Sequence, residues 1–129
     1  MRKIIQMRVR GINFDWDNLE ENLISFVSKT QTFVTPGKEY EVHAVSVYKK
    51  VVFLLLVDDI NTPIFIPAPL FEIVSSEIPS DWKCNLIGRL DLELIMGPDF
   101  LSKDMDAYIG VVGQDAELLT KLWNRIYQE

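Results

Sequence analysis

At 129 residues and 14.9 kDa the chain has the size of one ordinary domain and is too short to fill two hydrophobic cores. Its composition, 48% apolar, 11% aromatic and 25% charged, is that of a globular protein and excludes intrinsic disorder, collagen-like repeats and coiled coil. Thirteen basic against nineteen acidic side chains leave a net charge of −6, which excludes generic binding to nucleic acid or anionic lipid and suits a cationic partner.

The first ten residues alternate charge with apolar side chains. Arg2, Lys3, Arg8 and Arg10 place four positive charges here, and the alternation around Ile5, Met7 and Val9 is the pattern of a half-buried strand with a solvated basic face, ending near Gly11. These four cations leave a net charge of −10 on residues 11–129. The interleaved charges exclude a secretory h-region, and the longest apolar run, Val51 to Val57, is far short of the roughly 20 residues of a membrane span. A single cysteine, Cys84, makes no internal disulfide; it reads as a buried thiol, and the expected compartment is the cytoplasm.

Asp15 to Lys29 reads as an amphipathic helix, with Leu19, Leu23, Phe26 and Val27 on one face and Asp15, Asp17, Glu20 and Glu21 complementing the helix dipole at its start. A turn at Thr35-Pro36-Gly37-Lys38 opens a strand in which Tyr40, Val42 and Ala44 point inward and Glu39, Glu41 and His43 outward. The phase changes at Val45 and Val47, which requires a bulge or burial of both faces beyond Ala44. Val51 to Val57 is a central strand covered on both sides, and Asp58-Asp59-Ile60-Asn61-Thr62 is the turn after it. Ile64 to Ile66, bracketed by Pro63 and Pro67, is a short strand near a sheet edge. Leu70 to Val74 starts as a helical turn and finishes as a strand. Cys84 to Ile87 pairs through Gly88 with an alternating strand whose inner face is Leu90, Leu92, Leu94 and Met96. Leu101, Met105, Tyr108 and Ile109 predict one short helix capped by Ser102, stopping at Gly110. The chain from Gln114 is a helix with Leu119, Leu122, Trp123 and Ile126 on its core face. The expected fold is α+β: a single domain over 1–129, with a strongly curled antiparallel sheet flanked by an N-terminal and a C-terminal helix.

Enzyme motifs are missing. One histidine and one cysteine exclude a zinc site built on several of either residue, and neither His43 nor Cys84 sits in a catalytic signature. Gly110-Val111-Val112-Gly113 lacks the Lys-Ser or Lys-Thr of a phosphate loop. No catalytic residue, metal or cofactor is expected. Among the aromatic residues, Trp82 reads as packing, while Trp16 and Phe65 stand outside the core periodicity.

The middle of the chain does carry a resemblance. Gly37-Lys38-Glu39-Tyr40-Glu41-Val42, Phe53 to Asp58, and Pro63 to Val74 look like a small SH3-like barrel. Continued through Pro79-Ser80-Asp81-Trp82, the segment 36–82 resembles small bacterial immunity proteins of polymorphic and contact-dependent growth-inhibition toxin systems. The resemblance implies an SH3-like sheet and tight binding of a cognate toxin domain, with no enzymatic activity. An acidic protein opposes the basic cleft of a nucleic-acid-cleaving toxin, so the expected contacts are Asp58, Asp59, Asp91 and Glu93, with Phe65 as an anchor. The alternatives are an SH3-like adaptor and, third, a small hydrolase using Asp91 and Glu93.

Overall fold

The computed structural model describes residues 6–12 and 34–127. The helix expected over 15–29, with Trp16, lies outside the described residues. Among the described residues there are eight strands: β1 (Arg8–Gly11), β2 (Glu39–Glu41), β3 (Ala44–Tyr48), β4 (Val51–Val57), β5 (Pro63–Pro67), β6 (Phe71–Ser75), β7 (Trp82–Arg89) and β8 (Leu92–Pro98). Among the described residues there are three α-helices, α1 (Asp99–Ser102), α2 (Met105–Val112) and α3 (Ala116–Ile126).

The class is α+β, but the single curled sheet expected above is instead two antiparallel sheets, and neither closes. The small one runs β2-β1-β6 and the large one β5-β4-β3-β8-β7. The chain crosses between them at Val42 and His43. The Val42 amide donates to Met7 in the small sheet at 2.8 Å, and the His43 amide to Leu55 in the large one at 2.7 Å. This crossing is the phase change read in the sequence. Beyond it both faces are covered, so Ala44, Val45 and Ser46 are buried in succession. His43, expected on a solvated face, is buried at the junction.

One face of the large sheet packs on the small sheet around Val9, Tyr40, Val42, Leu54, Leu56, Leu70, Phe71 and Trp82. The opposite face carries the helices, with Ala44, Leu55, Leu101, Val111 and Leu122 at the centre. The described helices therefore cover one layer, and the C-terminal helix packs on a face of the sheet instead of flanking it at one end. The segment after β8 is also two helices in place of one. Asp104, not Ser102, caps the second by accepting from the Ala107 amide at 2.9 Å, while the Ser102 hydroxyl turns back to the Gly97 and Pro98 carbonyls.

The basic face of β1 is satisfied within its own sheet. Arg10 pairs with Glu72 on β6 at 2.9 Å and with Glu39 on β2 at 3.4 Å, and Arg8 reaches Glu39 at 3.6 Å.

Two hairpins meet at one end of the large sheet, and both turns carry side chains where glycine is favoured. Lys49 and Lys50 join β3 to β4 with φ of 49° and 63°; Leu90 and Asp91 join β7 to β8 with φ of 52° and 66°. The Lys49 amide donates to the Asp91 carbonyl at 2.9 Å, tying the turns together. Glu93 is the extra residue of a bulge against β3, where Val47 faces Leu94 and Tyr48 faces Leu92. The bulge lets Leu92 and Ile95, three residues apart, both be buried. Leu90, expected inside, is one of the two turn residues between β7 and β8 and stands at the tip, 70% exposed.

Candidate functional site

The five residues nominated from the sequence do not form one surface. Asp58 and Asp59 follow β4, whereas Asp91 and Glu93 lie at the end of the sheet where β4 begins. The seven residues of β4 separate the two pairs by about 20 Å, at ~3.3 Å per residue. Asp58 is buried and consumed by its own turn, accepting from the Ile60 and Thr62 amides at 3.1 and 2.9 Å. Phe65 is half-buried, its ring 5.1 Å from that of Tyr108 and packed on the helix-side core. Asp91 and Glu93 remain exposed, on a tip and a bulge.

Asp59 holds a junction together. It accepts from the Tyr40 hydroxyl at 2.8 Å, the Lys38 ammonium at 2.7 Å and the Thr35 hydroxyl at 2.6 Å, and the Thr35 amide donates to the Tyr40 oxygen. Burial pushes the Asp59 carboxyl up, but the bonds from Lys38, Thr35 and Tyr40 outweigh it and hold the group below the ordinary carboxylate value. A carboxyl lowered on folding contributes stability above its unfolded pKa and loses it as pH falls through the folded one. Asp59→Asn is therefore expected to unfold about 1–2 kcal/mol more easily at pH 7, as charge-assisted hydrogen bonds contribute. In urea denaturation against pH the gap to the parent should begin to narrow below about pH 4, the ordinary carboxylate value, and go on narrowing as pH falls further; a gap that does not narrow at all between about pH 5 and pH 2 would rule the carboxylate out as the cause.

The surface best suited to a partner lies at the hairpin end. Tyr48, Leu92, Met105 and Tyr108 line a groove of about 420 Å³. Leu90 forms one lip, and Ile109 and Val112, 55% and 57% exposed, form the other. The Tyr48 and Tyr108 rings stand 6.3 Å apart, and the Lys49 ammonium lies 5.6 Å over the Tyr48 ring. Burial pushes the Tyr108 phenol up, so it stays neutral. Three large apolar side chains exposed around one cavity make this groove the candidate interaction site. The strained turns point the same way, because non-glycine residues held at positive φ collect where function requires their side chains.

Sequence reasoning missed this groove. Tyr108 and Ile109 are legible as helix residues, but the period-2 pattern through Leu90 places inside a side chain that the turn between β7 and β8 leaves outside. Cys84, expected to be buried, is exposed on β7. Among the described residues no group of His, Cys, Asp and Glu is placed to hold a metal, and no helix is long and apolar enough to cross a membrane. A comparison with known protein families, curated proteins and solved structures returns no match.

Proposed function

We propose that this chain is an immunity protein, a binding domain without catalysis that neutralises a toxin domain through the groove between the 90–91 hairpin tip and α2. The sequence resemblance over 36–82 supports the class. Its motif residues Tyr40, Val42, Leu70, Phe71 and Trp82 all sit in one core cluster, so they build the fold and leave contact with the partner to other surfaces. The observation that carries the reading is the groove itself, whose lip is an exposed leucine held in a left-handed turn. Asp91 beside it and a net charge of −6 favour a basic partner and speed encounter with it. A reducing cytoplasm suits the exposed Cys84 thiol.

Co-expression with the product of the adjacent upstream gene tests the reading. The parent should restore growth and co-purify with the toxin. Ile109→Glu combined with Val112→Glu, both at exposed positions, should keep the fold and weaken the complex by about 30-fold or more, as hot-spot losses of roughly 2 kcal/mol imply. No complex with the parent, or full rescue by the double variant, would sink the proposal.

A further inference from the structure

A second concavity lies at the opposite end of the molecule, where the outer edge of β2 faces the end of α3. It measures about 230 Å³ and is lined by Lys38, Glu39, Glu41, His43, Trp123 and Tyr127, among others. Two observations give it a chemistry. Trp123 and Tyr127, one helical turn apart, stack with ring centroids 5.7 Å apart and planes at 14°, leaving Tyr127 68% exposed. The charges along the cleft are otherwise matched: Lys38 is bound by Asp59, and Glu39 is shared by Arg8 and Arg10. Glu41 is exposed, and among the described residues no cation pairs with it. Among the described residues the cleft thus presents a carboxylate, cross-strand from Arg8 but without an ion pair, beside a flat aromatic surface.

We propose that this cleft receives an arginine side chain of the protein partner, its guanidinium stacked on the Trp123–Tyr127 pair and paired with Glu41. A guanidinium fits better than an ammonium. It is planar and weakly hydrated, so it lies on an aromatic face while its fork of donors meets a carboxylate, whereas an ammonium is a strongly hydrated point charge. The size agrees, because 230 Å³ takes one side-chain head group and little more. That the arginine belongs to a protein rests on the proposed function; the guanidinium chemistry does not.

The isolated protein is titrated with N-acetyl-arginine amide, and with the citrulline analogue, which keeps the shape and lacks the charge. The indole N–H signal of Trp123 is followed by NMR. Arginine should shift that signal saturably, and citrulline should bind about tenfold more weakly, the loss expected when a cation–π contact and an ion pair both go. Glu41→Gln and Tyr127→Ala, both at exposed positions, should each weaken arginine binding about fivefold at an unchanged circular dichroism spectrum. Equal binding of citrulline, or unaltered binding by both variants, overturns the proposal. The same two variants are then tested for toxin neutralisation. Weakened neutralisation supports a protein source for the arginine, and full neutralisation by variants that no longer bind the amide overturns that source. The titration needs no toxin, so its failure is distinguishable from failure of the immunity reading.

Discussion

Leu55→Ala should lower the unfolding free energy by about 3–4 kcal/mol, a large part of the 5–15 kcal/mol typical of a domain this size. Leu55 is fully buried on β4, and its side chain is the centre of the core beneath all three helices, with Leu101, Val111 and Leu122 against it. Its cross-strand neighbour is Ala44, whose methyl group is too short to fill the cavity that truncation leaves. Val52→Ala, three residues earlier on the same strand but half-exposed, is the internal control and should cost no more than about 0.5 kcal/mol. Urea denaturation of the two variants measures both. A Leu55→Ala loss below 1 kcal/mol would mean that the helices do not depend on this side chain for their seat.

The second large effect should have opposite signs in two assays. Replacing Leu90-Asp91 by Asn-Gly relieves two left-handed non-glycine residues and should raise stability by about 1–2 kcal/mol. The same exchange removes the groove's lip and its acidic neighbour, so on the proposed function toxin binding should fall by more than about tenfold, a loss of at least 1.4 kcal/mol. The equivalent exchange at Lys49-Lys50 separates the causes, because it relieves the same strain and leaves Leu90 in place. Thermal denaturation should show a gain for both variants, whereas neutralisation should fail for the first and be much less affected for the second. If the Leu90-Asp91 exchange is stabilising and still neutralises, the left-handed leucine serves no contact. A turn whose natural residues oppose stability while serving binding is the usual trade-off of a functional site.

Much of the fold is legible where local chemistry decides it. The prolines around Ile64 to Ile66 correctly mark β5 as a short edge strand, and the uninterrupted Val51 to Val57 marks β4 as an interior one. The change from helical turn to strand after Pro67 is likewise readable, as a 3-10 turn over Ala68–Leu70 running into β6. What escapes is whatever depends on partners far along the chain. Alternation over Glu39 to Ala44 reports burial on one face and carries no sign that the two halves belong to different sheets, so His43 is misplaced and one curled sheet is expected where two stand. The turn at Leu90-Asp91 takes Leu90 out of the strand although it continues the alternation of Leu92 and Leu94, and the one-residue bulge at Glu93 is not announced by the local pattern either. The candidate contacts are scattered for a related reason. Asp58, Asp59, Asp91 and Glu93 are all recognisable as polar turn or face residues, but which end of the sheet each occupies is set by strand pairing. Trp123 was read as core because it shares the spacing of Leu122 and Ile126; the structure turns it toward Tyr127 and the cleft beside β2.

The two margins of the large sheet are unequal, and this sets how copies of the chain associate when crowded. β5 at one margin is closed by Pro63 and Pro67, which have no amide hydrogen to offer a further strand. β7 at the other is eight residues long and free of proline, and among the described residues no strand pairs with its outer side. Leu86 stands on it 81% exposed, at the end of an apolar row through Leu94, Val47 and Val52. Lys83 and Arg89 flank this stretch and resist self-pairing by charge repulsion. Where high concentration or salt overcomes that repulsion, pairing through β7 joins like to like about a two-fold axis and uses up the open margin on both copies. Growth of this sheet then stops at a dimer, and the blocked β5 margin keeps such an encounter from propagating into a fibre.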